Sequence, residues 1–259
     1  MTQGQRFDGI LIASDWDGTL SVDGEVSEKN RRAIREFQSF GGYFTVISGR
    51  TPAYLTERFC GFAPNTYTVG LNGARIEDLR TGAVLYSGTC DAGMLPSLRA
   101  LLSYPDGITS VIAYRTDGVR TMLPEEARKT LPDVPPQTIC KTVFITKTPE
   151  DAAKLLSLAA AVPQEGYEVV RSFPTGVELL AVQNGKGAAL LRLKKALGVR
   201  CAIGVGDFEN DLSLLTAADI GYAVKDAVPK LLAVADRVVC PAKDGAIAAV
   251  IEDIKKRGV

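Results

Sequence analysis

"GILIASDWDGTL", residues 9–20, runs from an apolar stretch straight into two aspartates, Asp15 and Asp17, with Gly18 and Thr19 directly behind them. A short run with little alternation, ended by a polar turn, reads as a strand buried on both faces. Side chains two apart on an extended backbone point the same way, so Asp15 and Asp17 can face one site while Trp16 points elsewhere. Two neighbouring carboxylates repel unless a positive charge joins them, and a magnesium ion is the usual oxygen-seeking partner. A strand end followed by an Asx-type turn accounts for so short a motif equally well.

Working outward, "YFTVIS", "YTVGL", "CAIGVG", "DIGYAV" and "DRVVC" repeat the buried-strand pattern. Helical segments separate several of them. Ser27 is placed to cap "EKNRRAIREFQSF", Pro52 suits a first helical turn after Thr51, and "NDLSLLTAA" and "DGAIAAVIEDIKKRG" carry apolar residues at helical spacing. The alternation predicts an α/β fold, a doubly wound parallel sheet covered on both faces.

The pattern breaks from about Ala83 to Leu180, where strand-like runs mix with "DAGMLPSLRALLSY" and the Thr148-capped "TPEDAAKLLSLAAAV". Thr116–Gly118 between two such runs reads as a hairpin turn, a sign of antiparallel pairing. Residues 83–180 are therefore expected to form a second, α+β domain inserted into a first made of 1–82 and 181–259, with crossings near Thr81-Gly82 and Asn184-Gly185. Arg115, Arg120, Lys141, Lys147, Arg171 and Glu178 fall in the insertion and read as solvated surface charges.

Composition narrows the chemistry. The chain has 259 residues, 46% of them hydrophobic, enough to fill the core of one large or two medium domains. Lys+Arg and Asp+Glu both number 30, so charge favours neither nucleic acid nor an acidic membrane surface. The absence of histidine excludes Ser-His-Asp and Cys-His catalysis, and leaves acid–base work to carboxylates, lysine or metal-bound water. Five scattered cysteines without a C-x-x-C pair argue against a disulfide framework and a structural zinc site, and read as buried thiols. No targeting or membrane-spanning pattern is apparent, so a cytoplasmic location is expected.

Three further stretches carry polar groups at or just after strand ends. "VISGR" places Ser48 after a buried strand, where its hydroxyl and the following backbone N–H groups, beginning with Gly49, could hold a phosphate oxygen. Lys186 in "NGKGAA" opens a helix, but Leu180 and Gly187 stand where a Walker P-loop needs glycine and Ser/Thr. "GVGDFEND" ends a strand on Asp207, Glu209, Asn210 and Asp211, a set that would repel a pyrophosphate but suits a cation. Each stretch has a plain alternative: a turn serine, a solvated lysine, a helix cap. Their common position decides, because open parallel sheets bind ligands beyond the carboxyl ends of their strands.

"DWDGTL", "SGR", Lys186 and "GDFEND", in that order, resemble the four motifs of the haloacid dehalogenase superfamily. "GLNGAR" at 70–75, the long insertion before Lys186 and "ADRVVCPAKDGAIAAVI" further resemble its Cof-type (subclass IIB) phosphatases. The departures are Trp16, where a smaller or non-indole apolar residue is usual, and "AVKDA" in place of a frequent Asn-Ala pair. The resemblance implies a Rossmann-like catalytic core over 1–82 and 181–259, an inserted α+β cap domain over 83–180, and a Mg²⁺-dependent phosphatase for a small phosphorylated metabolite, a sugar phosphate or similar monoester. It makes Asp15 the nucleophile and Asp17 the acid/base. Asp15, the Asp17 carbonyl and Asp207 would hold the metal, Ser48, Gly49 and Lys186 the phosphoryl group, and Asn210 and Asp211 would support the site. A phosphomutase or phosphonate hydrolase, a phosphoacceptor switch and a sugar-phosphate sensor are the competing readings.

Overall fold

The computed structural model describes residues 6–259, which form two compact units: the residues up to Tyr86 together with Lys186–Val259, and Ser87–Gly185. The extreme N-terminus, read above for a targeting signal, lies outside the described residues.

The first unit is built on a five-stranded parallel sheet in the order Arg237–Val239, Ile220–Val224, Cys201–Gly206, Ile10–Ser14, Tyr43–Val46. Both faces are covered, which is why these strands are apolar without alternating. Ile10 and Ile12 pack with Phe44, Val205, Ile34 and Phe37, and with Ile247 and Val250 of the last helix. Leu11 and Ala13 face the other way, onto Leu190, Leu193 and Leu214. Each of these large aliphatic side chains, at or near zero exposure, contributes roughly 1.5–3 kcal/mol of transfer free energy.

The helix signals hold. Ser27 Oγ accepts the Asn30 N–H at 3.2 Å and starts the helix Glu28–Ser39. Thr51 Oγ1 accepts the Tyr54 N–H at 3.2 Å ahead of Pro52 at the first turn. One strand differs from expectation: "YTVGL" contributes Thr68–Gly70, which joins the parallel sheet only through a single Ile47–Val69 bridge. It pairs instead with Arg75–Glu77 in a separate three-stranded sheet completed by Val84–Ser87.

That third strand keeps residues through Tyr86 with the first unit, and Ala181 closes a strand of the second. The crossings therefore lie at 86/87, a few residues beyond the 82/83 limit read from sequence, and at 185/186, beyond the 180/181 limit but directly after the Asn184-Gly185 crossing point. Strand pairing, which composition does not reveal, sets them.

The second unit is a five-stranded antiparallel sheet, Tyr167–Phe173, Gly176–Ala181, Ile139–Thr146, Ile108–Arg115, Gly118–Met122, with the hairpin at Thr116–Asp117. Helices Leu95–Leu102 and Pro149–Ala160 supply Leu98, Leu101 and Leu155 to a core with Val111, Phe144 and Leu179. Glu178, adjacent to Leu179, points to the opposite face. There it accepts from Lys141 Nζ at 2.8 Å, and both side chains are buried. Lys141 and Glu178 are thus not the solvated charges their residue types predicted. Among the thiols, Cys90, Cys140 and Cys201 are buried, Cys240 is half-buried and Cys60 is exposed, the last against expectation.

Candidate active site

Three neighbouring parallel strands end in register and aim their next residues at one place. Ser14 pairs with Val46 on one side and Val205 on the other, so Asp15, Ser48 and Asp207 all follow the same edge of the sheet. The Asp15 N–H donates to the Val205 carbonyl at 2.9 Å, the last rung before the chain turns. Gly18 makes that turn possible: its φ is +78°, and a Cβ there would lie 2.6 Å from Asp207 Oδ2. Thr19 then donates from Oγ1 to Asp207 Oδ1 at 2.6 Å, tying the two loops together.

Lys186, the first residue of the helix Lys186–Leu197, is fully buried beneath this edge. Its Nζ donates to Asp15 Oδ1 and to Asp211 Oδ1, each at 2.6 Å. Asp211 Oδ2 accepts the N–H groups of Asp207 and Phe208 at 3.0 and 3.2 Å, which fixes the 207–211 loop. Asp211 stands at the start of the helix Leu212–Ala217 but makes no side-chain cap bond to it, so its oxygens serve the preceding loop and the charged cluster instead.

Burial dominates the electrostatics. It pushes the Asp15 carboxyl well above the ordinary range; Lys186 pulls it down, and Asp211 and Asp207 add to the rise. Burial likewise lifts Asp207, with Asp211 adding to it, to about 7. Burial opposes the charge on Lys186, but the two carboxylates outweigh it and hold the ammonium above its usual value. Three carboxylates around one ammonium form a site short of positive charge.

Those residues fit a hard cation. Asp15, Asp207 and Asp211 can each present an oxygen such that all lie within 4.8 Å of one another. Asp211 already spends both oxygens on Lys186 and the loop N–H groups, so Asp15 and Asp207 are the better donors. Asn210 Oδ1 is buried without a hydrogen-bond donor, a further oxygen suited to a cation or its water.

A pH dependence follows for the metal-free protein. Asp207 binds its proton near 7 when folded against an ordinary 3.8, so its stabilising protonated form is fully present below about pH 4 and lost as the pH rises through 7. Thermal unfolding in a chelator should show Tm falling between about pH 5 and 8, and a divalent cation or Asp207→Asn should shrink the fall. A chelated protein whose Tm does not change over that range would contradict the electrostatics described.

Ser48 and Asp17 each have a partner in Arg50. Ser48 is buried, but its Oγ accepts the Arg50 N–H at 3.1 Å, so that amide is committed locally rather than offered to a phosphate. Its own N–H donates to the Val69 carbonyl at 3.0 Å. The Asp17 carboxylate is half-exposed and is gripped by Arg50, with Nε on Oδ2 at 2.8 Å and Nη2 on Oδ1 at 3.1 Å. Arg50 and Thr19 were missed as site residues although both lie inside quoted motifs. Nothing local reveals pairings across 33 and 188 residues. Trp16 is fully buried, edge-on to Phe59 at 5.7 Å.

The order and placement of these groups agree with a match to the haloacid dehalogenase-like hydrolase family over residues 12–251. The chain belongs to that family. Within it the hydrolase is a phosphatase of the Cof type. It is 28% identical over 249 residues to YxeH of Bacillus subtilis, covering 87% of this chain and 91% of YxeH. It is 25% identical over 231 residues to the 5-amino-6-(5-phospho-D-ribitylamino)uracil phosphatase YcsE of the same organism, covering 87% of each. Its fold superposes on the HAD subclass IIB sugar phosphatase BT4131 with a TM-score of 0.72 at 19% identity, over 96% of this chain and 98% of the other. Phosphatases of this family use a divalent metal, and an acidic cluster of the kind that can hold one, Asp15, Asp207 and Asp211, is present here. No helix among the described residues is long and apolar enough to cross a membrane.

Proposed function

We propose that this phosphatase hydrolyses the phosphate monoester of a small hydroxylated metabolite, a sugar or polyol phosphate, through an aspartyl phosphate on Asp15, with Mg²⁺ as its cofactor. The observation that carries the reading is the buried Lys186 ammonium, 2.6 Å from Asp15 Oδ1. A carboxylate approaches an anionic phosphoryl group only where that charge is balanced, and Lys186 sits beside the attacking atom.

In the first step an Asp15 oxygen bonds to phosphorus as the ester P–O bond breaks, and Asp17 gives its proton to the departing alcohol oxygen. In the second, Asp17 takes a proton from the water that attacks the acyl phosphate, which frees inorganic phosphate and restores Asp15. Ser48, Gly49 and Lys186 hold the phosphoryl group throughout. Asp15, Asp207 and the Asp17 carbonyl would hold Mg²⁺, with Asn210 and Asp211 orienting the site, and the ion when bound neutralises charge on the phosphoryl oxygens. The Ser87–Gly185 unit would act as the cap that selects the leaving group and excludes water. The phosphorylated ribityl chain in the name of YcsE supports a polyol phosphate as the substrate class.

A phosphate-release screen over phosphorylated metabolites, with and without Mg²⁺, tests this. Sugar and polyol phosphates should release phosphate only with the metal, and intact phosphoprotein should be poor. Transfer to a second sugar without phosphate release would identify a phosphomutase instead. Inactivity on every small monoester with Mg²⁺ present would overturn the proposal.

A further inference from the structure

We propose that Arg50 is the positioning residue for Asp17, fixing the plane in which that carboxylate gives up and takes back its proton. The proposal rests on the acid/base reading of Asp17 above. The guanidinium meets the carboxylate as a fork, Nε to Oδ2 at 2.8 Å and Nη2 to Oδ1 at 3.1 Å. Two parallel bonds fix both distance and plane, which a single lysine contact cannot do. A carboxylate offers about four lone-pair positions, so a fork that uses two leaves one on each oxygen for a proton.

Stability does not account for this pair. Its side chains are 48% and 50% exposed, and ion pairs in that setting contribute little to folding. Yet the arginine is held unusually firmly. Its guanidinium carbon lies 4.7 Å from the centre of the Tyr54 ring. Its N–H is bound to Ser48 Oγ, and its carbonyl accepts the Leu71 N–H at 2.9 Å. The Asn72 N–H reaches the Ser48 carbonyl at 2.8 Å, so one turn grips the backbone at Ser48 and again at Arg50.

That turn is costly to form. Leu71 and Asn72 have φ of 53° and 62°, two successive residues in a region that leucine rarely occupies. Gly70 lets it approach: a Cβ there would stand 2.6 Å from Pro52 Cδ and 3.0 Å from the Arg50 carbonyl oxygen. A strained turn seated against the backbone of a half-exposed arginine makes sense if the direction of that side chain matters.

The test compares leaving groups. Arg50→Ala, Arg50→Lys and Asp17→Asn are assayed with Mg²⁺ on 4-nitrophenyl phosphate, whose leaving group needs little proton help, and on the best alkyl phosphate from the screen. Arg50→Ala should lower kcat for the alkyl ester on the order of a hundredfold but change the aryl ester less than about threefold. Arg50→Lys should lie between, because it keeps the charge and loses the fork. KM should stay near the parent value, and added guanidinium ion should restore part of the alkyl activity of Arg50→Ala and none of that of Asp17→Asn. Equal losses on both esters in both Arg50 variants, or a rise in KM alone, would overturn the positioning role. If Asp17→Asn is itself unselective between the esters, the acid/base reading fails and the proposal falls with it. A selective Asp17→Asn beside an unselective Arg50→Ala sinks the positioning role alone.

Discussion

Asp15→Asn is expected to abolish turnover while leaving the fold intact. The amide keeps the size and planarity of the carboxylate, but it cannot form the acyl phosphate, so the loss should be about 10⁴-fold or more. Folding should survive because the strand Ile10–Ser14 and its rung at the Asp15 N–H depend on backbone, and Lys186 keeps Asp211 as a partner. Acid-quenched reactions should trap covalent phosphate on the parent protein and none on the variant. A well-folded Asp15→Asn within tenfold of parent activity would remove Asp15 as the nucleophile.

Lys186→Ala is expected to damage both stability and activity. The ammonium is fully buried and bound at 2.6 Å to two carboxylates, and removing one partner from such a cluster leaves the others uncompensated. Breaking buried ion pairs in this way costs about 3–5 kcal/mol. In a protein of this size that corresponds to a fall in Tm of roughly 10 °C. The sign of the pH effect follows from Asp15. Burial already holds its carboxyl high, and without Lys186 it loses the cation that pulled it down. A raised carboxyl favours the folded state only while protonated, so the deficit should shrink as the pH falls and grow as it rises. Thermal melts of parent and variant at several pH values measure this. A variant that melts within 2 °C of the parent across the range would show that Lys186 does not balance these charges. Activity should fall with it on every ester, aryl as well as alkyl, because the phosphoryl group itself loses its counter-charge. That separates Lys186 from Arg50, whose effect should depend on the leaving group.

Much of the fold was legible because its signals are local. Apolar runs without alternation marked strands covered on both faces, Ser27, Thr51 and Thr148 marked helix starts, and the hairpin at Thr116–Asp117 marked a change to antiparallel pairing. The strand Thr68–Gly70 was misplaced because its composition suits either sheet, and only its hydrogen-bond partners choose between them. Lys141 and Glu178 were read as surface charges for a similar reason: each is expensive to bury alone, and the antiparallel register that makes them partners is not a property of either segment.

The sequence by itself determined the chemistry available to this protein: no histidine, carboxylates and a lysine after strand ends, and an order of motifs that one family shares. Only the tertiary structure decided how those groups are paired. It put Lys186 between Asp15 and Asp211, tied Asp207 to Thr19, and gave Asp17 to Arg50 rather than to the buried cluster. The physical reason is range. Residue type and spacing fix what a side chain can do and which way a strand presents it. Charge balance, burial and hydrogen-bond partnership arise between segments far apart in the chain, once parallel pairing at Ser14 has brought three strand ends to one edge.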